Sequence, residues 1–380
     1  MITAKRNQYF VCEGNGQAPI AWNPLSNQQR INLHTDYFGK AFQEMEKRLD
    51  GSGWTIYLTS DIHRLPSYGP HVVAVVMGDE WGRIPFYAHR IGALFKCYGI
   101  RSRPKPKLLG NNWHFQVLVW LKYFYGLLKF LAGWTFYSTM TATRRLRGQS
   151  LPAMHAIPLG YANQIEVPFV PFEKRKLDVS FAGSILHKAY PFWSLKRWIG
   201  TPKRLSRKQL LLALEAFQDR QSDKRVDLKI TPSFRAIRRE NPAIYATRLM
   251  NTRISVVPRG NALETFRFFE ALRAGCVLIT EDLPDFWFYY GAPVIRLADW
   301  SRLPDVLEDL MSDADKLERL HLQSMGWWRD VCAPDALGIY LAKQLNKLKS
   351  GATLRKPDRK PIPLRTLQRI SSEVKNNIPN

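Results

Sequence analysis

The sequence predicts an α/β protein built from two Rossmann-like, doubly wound domains that face each other across a cleft. Apolar runs of strand length alternate with segments of helical spacing along most of the chain. A proline-rich stretch near the middle interrupts this alternation, which then starts again. The chain has 380 residues, of which 45% are hydrophobic, so it can fill the cores of two domains of ordinary size.

In the N-terminal part, a strand, a helix and two further strands follow one another. Residues 9–12, 54–58 and 72–77 are the predicted strands, and residues 37–49 the predicted helix. The last of these strands, VVAVVM, leads directly into GDEWGRIP. Polar side chains that directly follow a parallel strand lie at its carboxyl end, where open α/β sheets bind their ligands. We therefore expect Asp79 and Glu80 to lie at a ligand-binding edge.

Residues 115–134, FQVLVWLKYFYGLLKFLAGW, raise the question of a membrane. Their two lysines, Lys122 and Lys129, lie seven residues apart on one stripe of an otherwise apolar helix. Each lysine would cost about 2.5 to 3.5 kcal/mol near the centre of a bilayer, so a spanning helix is disfavoured. Two interpretations remain. The helix lies in an anionic membrane surface beside the basic segment RSRPKPK, or it is a core helix whose lysines reach solvent.

A linker is predicted between residues 151 and 176, where prolines interrupt regular structure. Beyond it the predicted strands are residues 177–184, 226–231, 253–258, 276–280 and 293–297. The predicted helices are residues 208–219, 242–250 and 263–274, with helical material continuing to about residue 349. We therefore expect one domain over residues 1–172, a second over residues 173–350, and a basic tail over residues 351–380.

The charge balance suggests a polyanionic partner. Fifty-six Lys and Arg residues stand against 32 Asp and Glu residues, which gives a formal net charge of +24. Such a charge attracts nucleic acid, anionic lipid or phosphorylated small molecules. The sequence contains no RRM, zinc-finger or basic-zipper pattern, so a nucleic-acid binder remains only as the alternative from another class.

The spacing of the cysteines and the N-terminal residues indicate the cellular compartment in which the protein is expected. The 4 cysteines form no CxxC pair, and no histidine lies at ligand spacing from them. The stretch MITAKRNQYFVCEGNG lacks the apolar run of a signal peptide. Both features predict a reduced, cytosolic protein without structural zinc.

The most informative stretch covers residues 254–288. A strand ends at Pro258, and Gly260 and Asn261 suit a turn with unusual backbone angles. A helix then begins near Leu263 and ends at Gly275, which is a good C-terminal stop. The free amide groups at the start of this helix would face the carboxyl edge of the strand, where they suit a diphosphate.

Arg267 and Glu270 are the candidate ligands on this helix. Arg267 lies one turn into the helix, where its guanidinium could bind the same phosphates. Glu270 follows at i+3, and a carboxylate there can accept both hydroxyls of a ribose. The alternative is an ordinary surface ion pair between the two side chains, which contributes little to stability.

The segment PRGNALETFRFFEALRAGCVLITEDLPDF closely resembles the signature of exostosin-like glycosyltransferases. That signature is a PRG turn, an FRFxEAL helix and an AGCxPV strand, followed by an acidic residue and a proline. IPLGY at residues 157–161 and DVSFAGS at residues 178–184 fit the same family pattern. Elsewhere only order and spacing agree, and Leu278 stands where the family commonly has proline.

The resemblance implies a GT-B fold and metal-independent, inverting transfer from a nucleoside-diphosphate sugar, which we expect to be UDP-linked. Residues 1–172 would form the acceptor side and residues 173–350 the nucleotide-sugar side. Arg267 matches the phosphate-side arginine and Glu270 the ribose-binding glutamate. The other predicted donor-binding residues lie in a small-residue turn and in the turn before the helix: Gly183, Ser184, Arg259, Gly260, Asn261, Glu264 and Thr265.

Inverting transfer needs a base that removes the proton of the acceptor hydroxyl. We expect this base from the N-terminal side of the cleft, where the acceptor would bind. Asp79 and Glu80 are the first candidates, followed by Glu13 in EGNG and His155 before IPLGY. Each of these residues could instead be a capping or turn residue.

No metal is predicted, because the DxD stretch from Asp313 to Asp315 opens a helical segment and fits an N-cap. A GxSxG elbow and a Walker loop are absent from the sequence, so it offers no anchor for hydrolase or P-loop chemistry. A second alternative keeps the GT-B fold but moves a polyol phosphate from a CDP-linked donor. The predicted partners are a nucleoside-diphosphate sugar, a saccharide or glycolipid acceptor, and the anionic inner face of a membrane, without nucleic acid.

Overall fold

The computed structural model describes residues 6–14, 17–26, 31–100, 113–149, 151–184, 193, 200–231 and 241–349. The basic tail, the segment RSRPKPK and the end of EGNG lie outside these residues. The described strands form a six-stranded N-terminal sheet and a five-stranded C-terminal sheet. Parallel sheets covered by helices confirm the predicted α/β, Rossmann-like fold class.

The elements mostly coincide with the predicted ones, although β2, β5 and β6 were not predicted. The N-terminal sheet contains β1 (Gln8–Cys12), β2 (Ile20–Trp22), β3 (Thr55–Thr59), β4 (Gly69–Val76), β5 (Ile91–Lys96) and β6 (Ala153–Ala156). The C-terminal sheet contains β7 (Leu177–Ser184), β8 (Val226–Thr231), β9 (Thr252–Val257), β10 (Val277–Thr280) and β11 (Val294–Arg296). The α-helices are α1 (Thr35–Glu46), α2 (Trp113–Leu146), α3 (Pro202–Arg220), α4 (Pro242–Met250), α5 (Phe266–Arg273), α6 (Leu303–Ser312), α7 (Ala314–Trp327) and α8 (Pro334–Lys349).

The C-terminal sheet is parallel throughout, in the order β11-β10-β9-β7-β8. The chain passes from β7 outward to β8 and then returns to the other side of β7 at β9. Doubly wound sheets bind ligands outside the carboxyl ends of the strands, at such a reversal. Because β7 ends at Ser184 and β9 at Val257, the predicted donor-binding turns lie at this point.

The N-terminal sheet has the order β2-β1-β3-β4-β5-β6. Only β2 is antiparallel to its neighbour, and the parallel strands follow one another in chain order. Among its described parallel strands this sheet therefore has no reversal, unlike the doubly wound domain that was predicted. Strand order depends on the side of the sheet to which each connection returns. The local pattern of apolar residues in the sequence does not reveal that side.

The turn before α5 departs from the prediction in two ways. Helix α5 begins at Phe266 rather than near Leu263, with Thr265 as its N-cap. Gly260 and Asn261 do not adopt the positive φ that the sequence suggested. Gly260 instead allows close packing, because a Cβ there would lie 3.2 Å from Cγ2 of Thr265. The predicted stop at Gly275 is confirmed, with a φ of 69°.

One buried apolar cluster joins the two halves of the chain. It contains Phe42 of α1, Phe269 of α5 and Leu341 of α8. Helices α1 and α8 pack so closely that a Cβ at Gly338 would lie 2.4 Å from the carbonyl oxygen of Ala41. The last helix of residues 173–350 therefore completes the core of the N-terminal half, although the sequence had assigned it to the second domain.

Candidate active site

A buried arginine bridges the reversal in the C-terminal sheet. Arg207 of α3 is only 2% exposed. One of its Nη atoms donates a hydrogen bond to the carbonyl oxygen of Ser184. Its Nε donates to the carbonyl oxygen of Arg259, at 3.2 Å. The guanidinium thus lies between the carboxyl ends of β7 and β9.

Two further cations lie beside Arg207. Lys203, one turn earlier on α3, is 8% exposed, and Arg267 of α5 is half-buried. Burial, together with the charges of Arg207 and Arg267, lowers the pKa of Lys203 from 10.5 to about 8. Burial and the charge of Arg267 lower the pKa of Arg207 from 12.5 to about 9. We call Lys203, Arg207 and Arg267 the cationic cluster.

The positive charges of the cationic cluster act on one another. Like charges brought together in a poorly hydrated place disfavour one another, and a bound pyrophosphate would offset that cost. The negative charge of Glu281 raises the pKa of Arg207, but this is the smallest of the three effects on that pKa. The carboxylate of Glu281 pairs with the Nε of Arg259 and accepts hydrogen bonds from Ser206 and from the indole of Trp300. The carboxylate of Glu281 is thus shared with Arg259, Ser206 and Trp300.

The predicted turn residues surround the cationic cluster. Gly183 lies close to Arg207, since a Cβ there would be 3.3 Å from a guanidinium nitrogen. The guanidinium of Arg259 is already paired with Glu281, and it lies 5.1 Å from the ring centre of Phe115 on α2. The carbonyl oxygen of Asn261 accepts a hydrogen bond from a lysine of α2. The structure thus brings the predicted turns and Arg267 together, while their contact with a donor stays a prediction.

Thr265 offers an unused polar atom at the start of α5. Its side chain is 9% exposed and makes no capping hydrogen bond. Among the described residues, its Oγ1 has no hydrogen-bond partner. A buried hydroxyl without a partner is costly, so a ligand oxygen at this position would be stabilising.

Glu270 is buried and bound to the chain itself. One carboxylate oxygen accepts hydrogen bonds from the amides of Ala162 and Asn163, at 3.1 and 2.9 Å. The other accepts from the hydroxyl of Tyr245, at 2.9 Å. The surface ion pair with Arg267, considered as the alternative, does not occur between these described residues. Glu270 ties the interdomain linker to α5, and ribose binding by this residue stays a prediction.

Glu264 is buried where the two halves of the chain meet. It is 4% exposed, and it accepts a hydrogen bond of 3.4 Å from the hydroxyl of Tyr289. Its charge also acts on Lys96 of β5, which belongs to the N-terminal half. Glu264 therefore faces the opposite sheet.

Asp79 is engaged on both carboxylate oxygens. Lys96, which is fully buried, lies 3.2 Å from one of them. Arg83 binds both, through its Nε at 2.8 Å and its amide at 2.7 Å. Burial alone would raise the pKa of Asp79, but Lys96 and Arg83 outweigh this and lower it. A carboxylate held in this way is a poor proton acceptor, so the geometry favours a structural role over the predicted catalytic one.

Glu80, the next residue, faces the cationic cluster. Its side chain is half-buried, and its charge acts on Lys203 by raising the pKa of that lysine. Glu80 belongs to the N-terminal half and Lys203 to the C-terminal half, so this electrostatic interaction links the two halves. Among the four candidate bases, Glu80 is the one whose charge reaches the cationic cluster in the described contacts.

The other two candidates have different surroundings. Glu13 is exposed at the end of β1, and its carbonyl oxygen accepts a hydrogen bond from Ser60. His155 stacks on Phe95 and lies 3.2 Å from the hydroxyl of Tyr340 on α8. Burial, aided by Lys347, lowers the pKa of His155 to about 4. His155 is thus a neutral side chain packed beneath α8, where the structure gives it no acceptor-binding role.

Lys203 and Arg207 were missed by the sequence interpretation, although a signal was present. Both belong to the buried stripe of α3, which continues at i+3 and i+4 spacing through Leu210, Leu214 and Phe217. Charges at positions of a helix where apolar residues are expected are uncommon, and they mark a candidate ligand site.

Among the described residues, no group of three or more His, Cys, Asp or Glu side chains could hold a metal ion. Asp313 of the DxD stretch caps α7 by accepting a hydrogen bond from the amide of Lys316 at 2.8 Å, which confirms the predicted N-cap. All 4 cysteines of the sequence are free and buried.

No family model and no curated protein matches the sequence. Among solved structures, the chain is similar to the one titled "Crystal structure of GtfA/B complex", with 10% identity and a TM-score of 0.39. The similarity covers 75% of this chain and 58% of that chain, so the present chain spans less than two thirds of its length. The fold class follows from the two largely parallel sheets and not from this likeness.

Proposed function

We propose that the protein is a glycosyltransferase of the GT-B type. In this proposal, it moves a sugar from a UDP-linked donor to a saccharide or glycolipid acceptor, without a metal and with inversion. The C-terminal sheet binds the donor and the N-terminal sheet presents the acceptor. The observation that carries the proposal is the cationic cluster at the reversal of the C-terminal sheet, opposite Glu80.

The charges suit the departure of a nucleoside diphosphate. As the bond between the anomeric carbon and the β-phosphate oxygen breaks, negative charge grows on that oxygen. Lys203, Arg207 and Arg267 would stabilise this charge in place of a metal ion. The acceptor oxygen forms the new bond to the anomeric carbon from the opposite face, and its proton passes to Glu80.

Donor binding provides the first test. We expect Lys203→Met and Arg267→Met each to weaken binding of a UDP-sugar by about tenfold to a hundredfold, since each removes a charged contact to phosphate. Lys208→Met is the matched control, because Lys208 lies on the same helix but is exposed. Isothermal titration with UDP-sugars and CDP-linked polyols separates this proposal from polyol-phosphate transfer. Equal affinity of all three variants and the unchanged protein would contradict it.

Catalysis by Glu80 has its own test. We expect Glu80→Gln to keep donor affinity while slowing transfer at least a hundredfold, because an amide cannot accept the proton. Hydrolysis of the donor can be followed even before the acceptor is known. Asp79→Asn, which removes the neighbouring carboxylate, should instead lower stability by leaving buried Lys96 without its ion pair. If Glu80→Gln transferred at the original rate, Glu80 would not be the base.

A further inference from the structure

Helix α2 has the reverse of the usual polarity for a surface helix. Large apolar side chains point away from the protein, and Leu121, Phe124 and Leu128 are 61%, 52% and 66% exposed. Both lysines point inward instead. Lys129 lies 4.6 Å from the ring centre of Trp81, and Lys122 donates a hydrogen bond to the carbonyl oxygen of Asn261. In water, the opposite arrangement is favoured.

The inner side of α2 is packed against the protein along most of its length. A Cβ at Gly126 would lie 3.8 Å from Trp81, and one at Gly133 would lie 3.1 Å from the carbonyl oxygen of Ile84. Tyr137, further along, is buried. By length and composition α2 could cross a membrane. A helix covered by protein on one side over this length cannot be surrounded by lipid, so it fits a position within the membrane surface.

The outer face of α2 has the chemistry of a lipid-facing surface. We define it as the exposed side chains Trp113, Val117, Leu121, Phe124, Leu128, Leu131 and Trp134. Tryptophan is favoured at the boundary between lipid and water, and one lies near each end of this face. The exposed hydroxyls of Thr135 and Thr139 donate to carbonyl oxygens of their own helix, at 2.9 and 3.0 Å. They therefore need no water.

The charges select an anionic bilayer. Helix α2 contains no Asp or Glu, and its last turn holds Arg144 and Arg145. Arg145 and Arg147 are exposed, and the chain as a whole carries +24. Basic residues next to an apolar face bind anionic headgroups. The exposed side chains also cover about half of the helix circumference at about 100° per residue, which is wider than the seam of a helix pair.

We propose that α2 is an interfacial anchor that docks the protein onto a bilayer containing anionic lipid, with the outer face in the headgroup and upper acyl region. This proposal is independent of the glycosyltransferase proposal. In the anchored state, Lys122 and Lys129 contact the rest of the protein, and the outer face contacts the lipid.

Vesicle sedimentation tests the anchor. We expect the full chain to sediment with vesicles of phosphatidylcholine and phosphatidylglycerol at low salt, and much less with phosphatidylcholine alone. The double variant Leu121→Gln, Leu128→Gln should lose affinity by about tenfold or more. Leu212→Gln, Ile244→Gln is the matched control, because these residues are 55% and 53% exposed on other helices. It should bind as the unchanged protein does.

Two outcomes would overturn the proposal. One is equal vesicle binding by the double variant and its control, since the outer face would then not carry the contact. The other is a dimer in analytical ultracentrifugation that the double variant dissociates, with no vesicle binding, since a second copy would then cover α2. Donor hydrolysis in the double variant should match that of the unchanged protein, so a failure of the anchor is distinguishable from a failure of the proposed enzyme.

Discussion

Lys203 carries its positive charge at a cost to the stability of the folded protein. Its pKa of about 8 in the folded protein, against an ordinary value of 10.5, corresponds to about 3 kcal/mol against the charged form. The positive charges that face it are Arg207 and Arg267, and Glu80 partly offsets them. A cost of this kind is typical of groups kept for binding rather than for folding.

We expect Lys203→Met to raise the melting temperature of the ligand-free protein at pH 7 while removing stabilisation by the donor. The folded-state pKa lies below the unfolded one, so the unfolded chain holds more protons between about pH 8 and 10.5. The free energy of unfolding of the unchanged protein therefore increases as the pH rises through this window. Differential scanning fluorimetry of both proteins at pH 7 and pH 10 should show the advantage of the variant shrinking. An advantage that is constant with pH would argue against a charged, buried Lys203.

Glu270 gives a second prediction at this scale. Glu270→Ala leaves the amides of Ala162 and Asn163 and the hydroxyl of Tyr245 without their acceptor, so we expect a loss of about 2 to 4 kcal/mol. Glu270→Gln keeps the shape and an acceptor for both amides, and it should cost clearly less. Urea unfolding without ligand measures both. If both variants were as stable as the unchanged protein, the linker contact would not matter, and the ribose role would be the stronger explanation of this residue.

At the scale of elements, the motif IPLGY receives a packing explanation. Gly160 has a φ of 70°, and a Cβ there would lie 2.3 Å from the ring of Tyr37. Tyr37 is fully buried and donates a hydrogen bond to the carbonyl oxygen of Cys332 at 2.7 Å. The glycine thus allows the linker to pass directly over α1.

We expect Gly160→Ala to lower stability by about 3 to 5 kcal/mol, because the backbone strain and the overlap with Tyr37 add together. Gly148→Ala is the matched control. Gly148 has a similar φ of 66° but no heavy atom within 4 Å of the added Cβ. Gly148→Ala should lower stability only by the backbone cost of about 1 to 2 kcal/mol. Equal losses in chemical denaturation would show that the overlap with Tyr37 relaxes at no cost.

Single helices and strands could be predicted from the sequence, but which of them lie next to one another in the fold could not. Buried parallel strands such as β10 are continuous apolar runs with a small polar end. Helix α4 was predicted with the bounds that the structure shows, and Asn241 and Pro242 mark its start. Contacts that depend on topology have no such local signal. Arg207 meets Ser184 and Arg259 only because β7 and β9 become neighbours after the chain has visited β8.

At the scale of the whole molecule, the shared core determines how the protein unfolds. Helix α5 of the C-terminal half and α8 at the end of the described chain contribute to the same apolar cluster as α1. Tyr37 of α1 adds a polar tie between the halves, because its hydroxyl donates to the carbonyl oxygen of Cys332, at 2.7 Å. Neither half encloses this core alone.

We therefore expect one cooperative thermal transition rather than two. Calorimetry should give a single peak, and Leu341→Ala in α8 should shift the whole peak to lower temperature, since this leucine belongs to the shared core. The control is Ile339→Ala on the same helix, where the side chain is 43% exposed and a small shift is expected. Two resolved peaks, of which only one moved, would show that the halves fold separately.

The return of α8 to α1 also has a topological consequence. Asn346 and Lys349 donate hydrogen bonds to the carbonyl oxygens of Arg48 and Ser52, at 2.8 and 3.1 Å. If the chain were cleaved in the linker, the first polypeptide would expose an apolar groove along α1. The second polypeptide would contain α8, which fills that groove. We therefore expect two co-expressed pieces to associate through α1 and α8 without a covalent link between them.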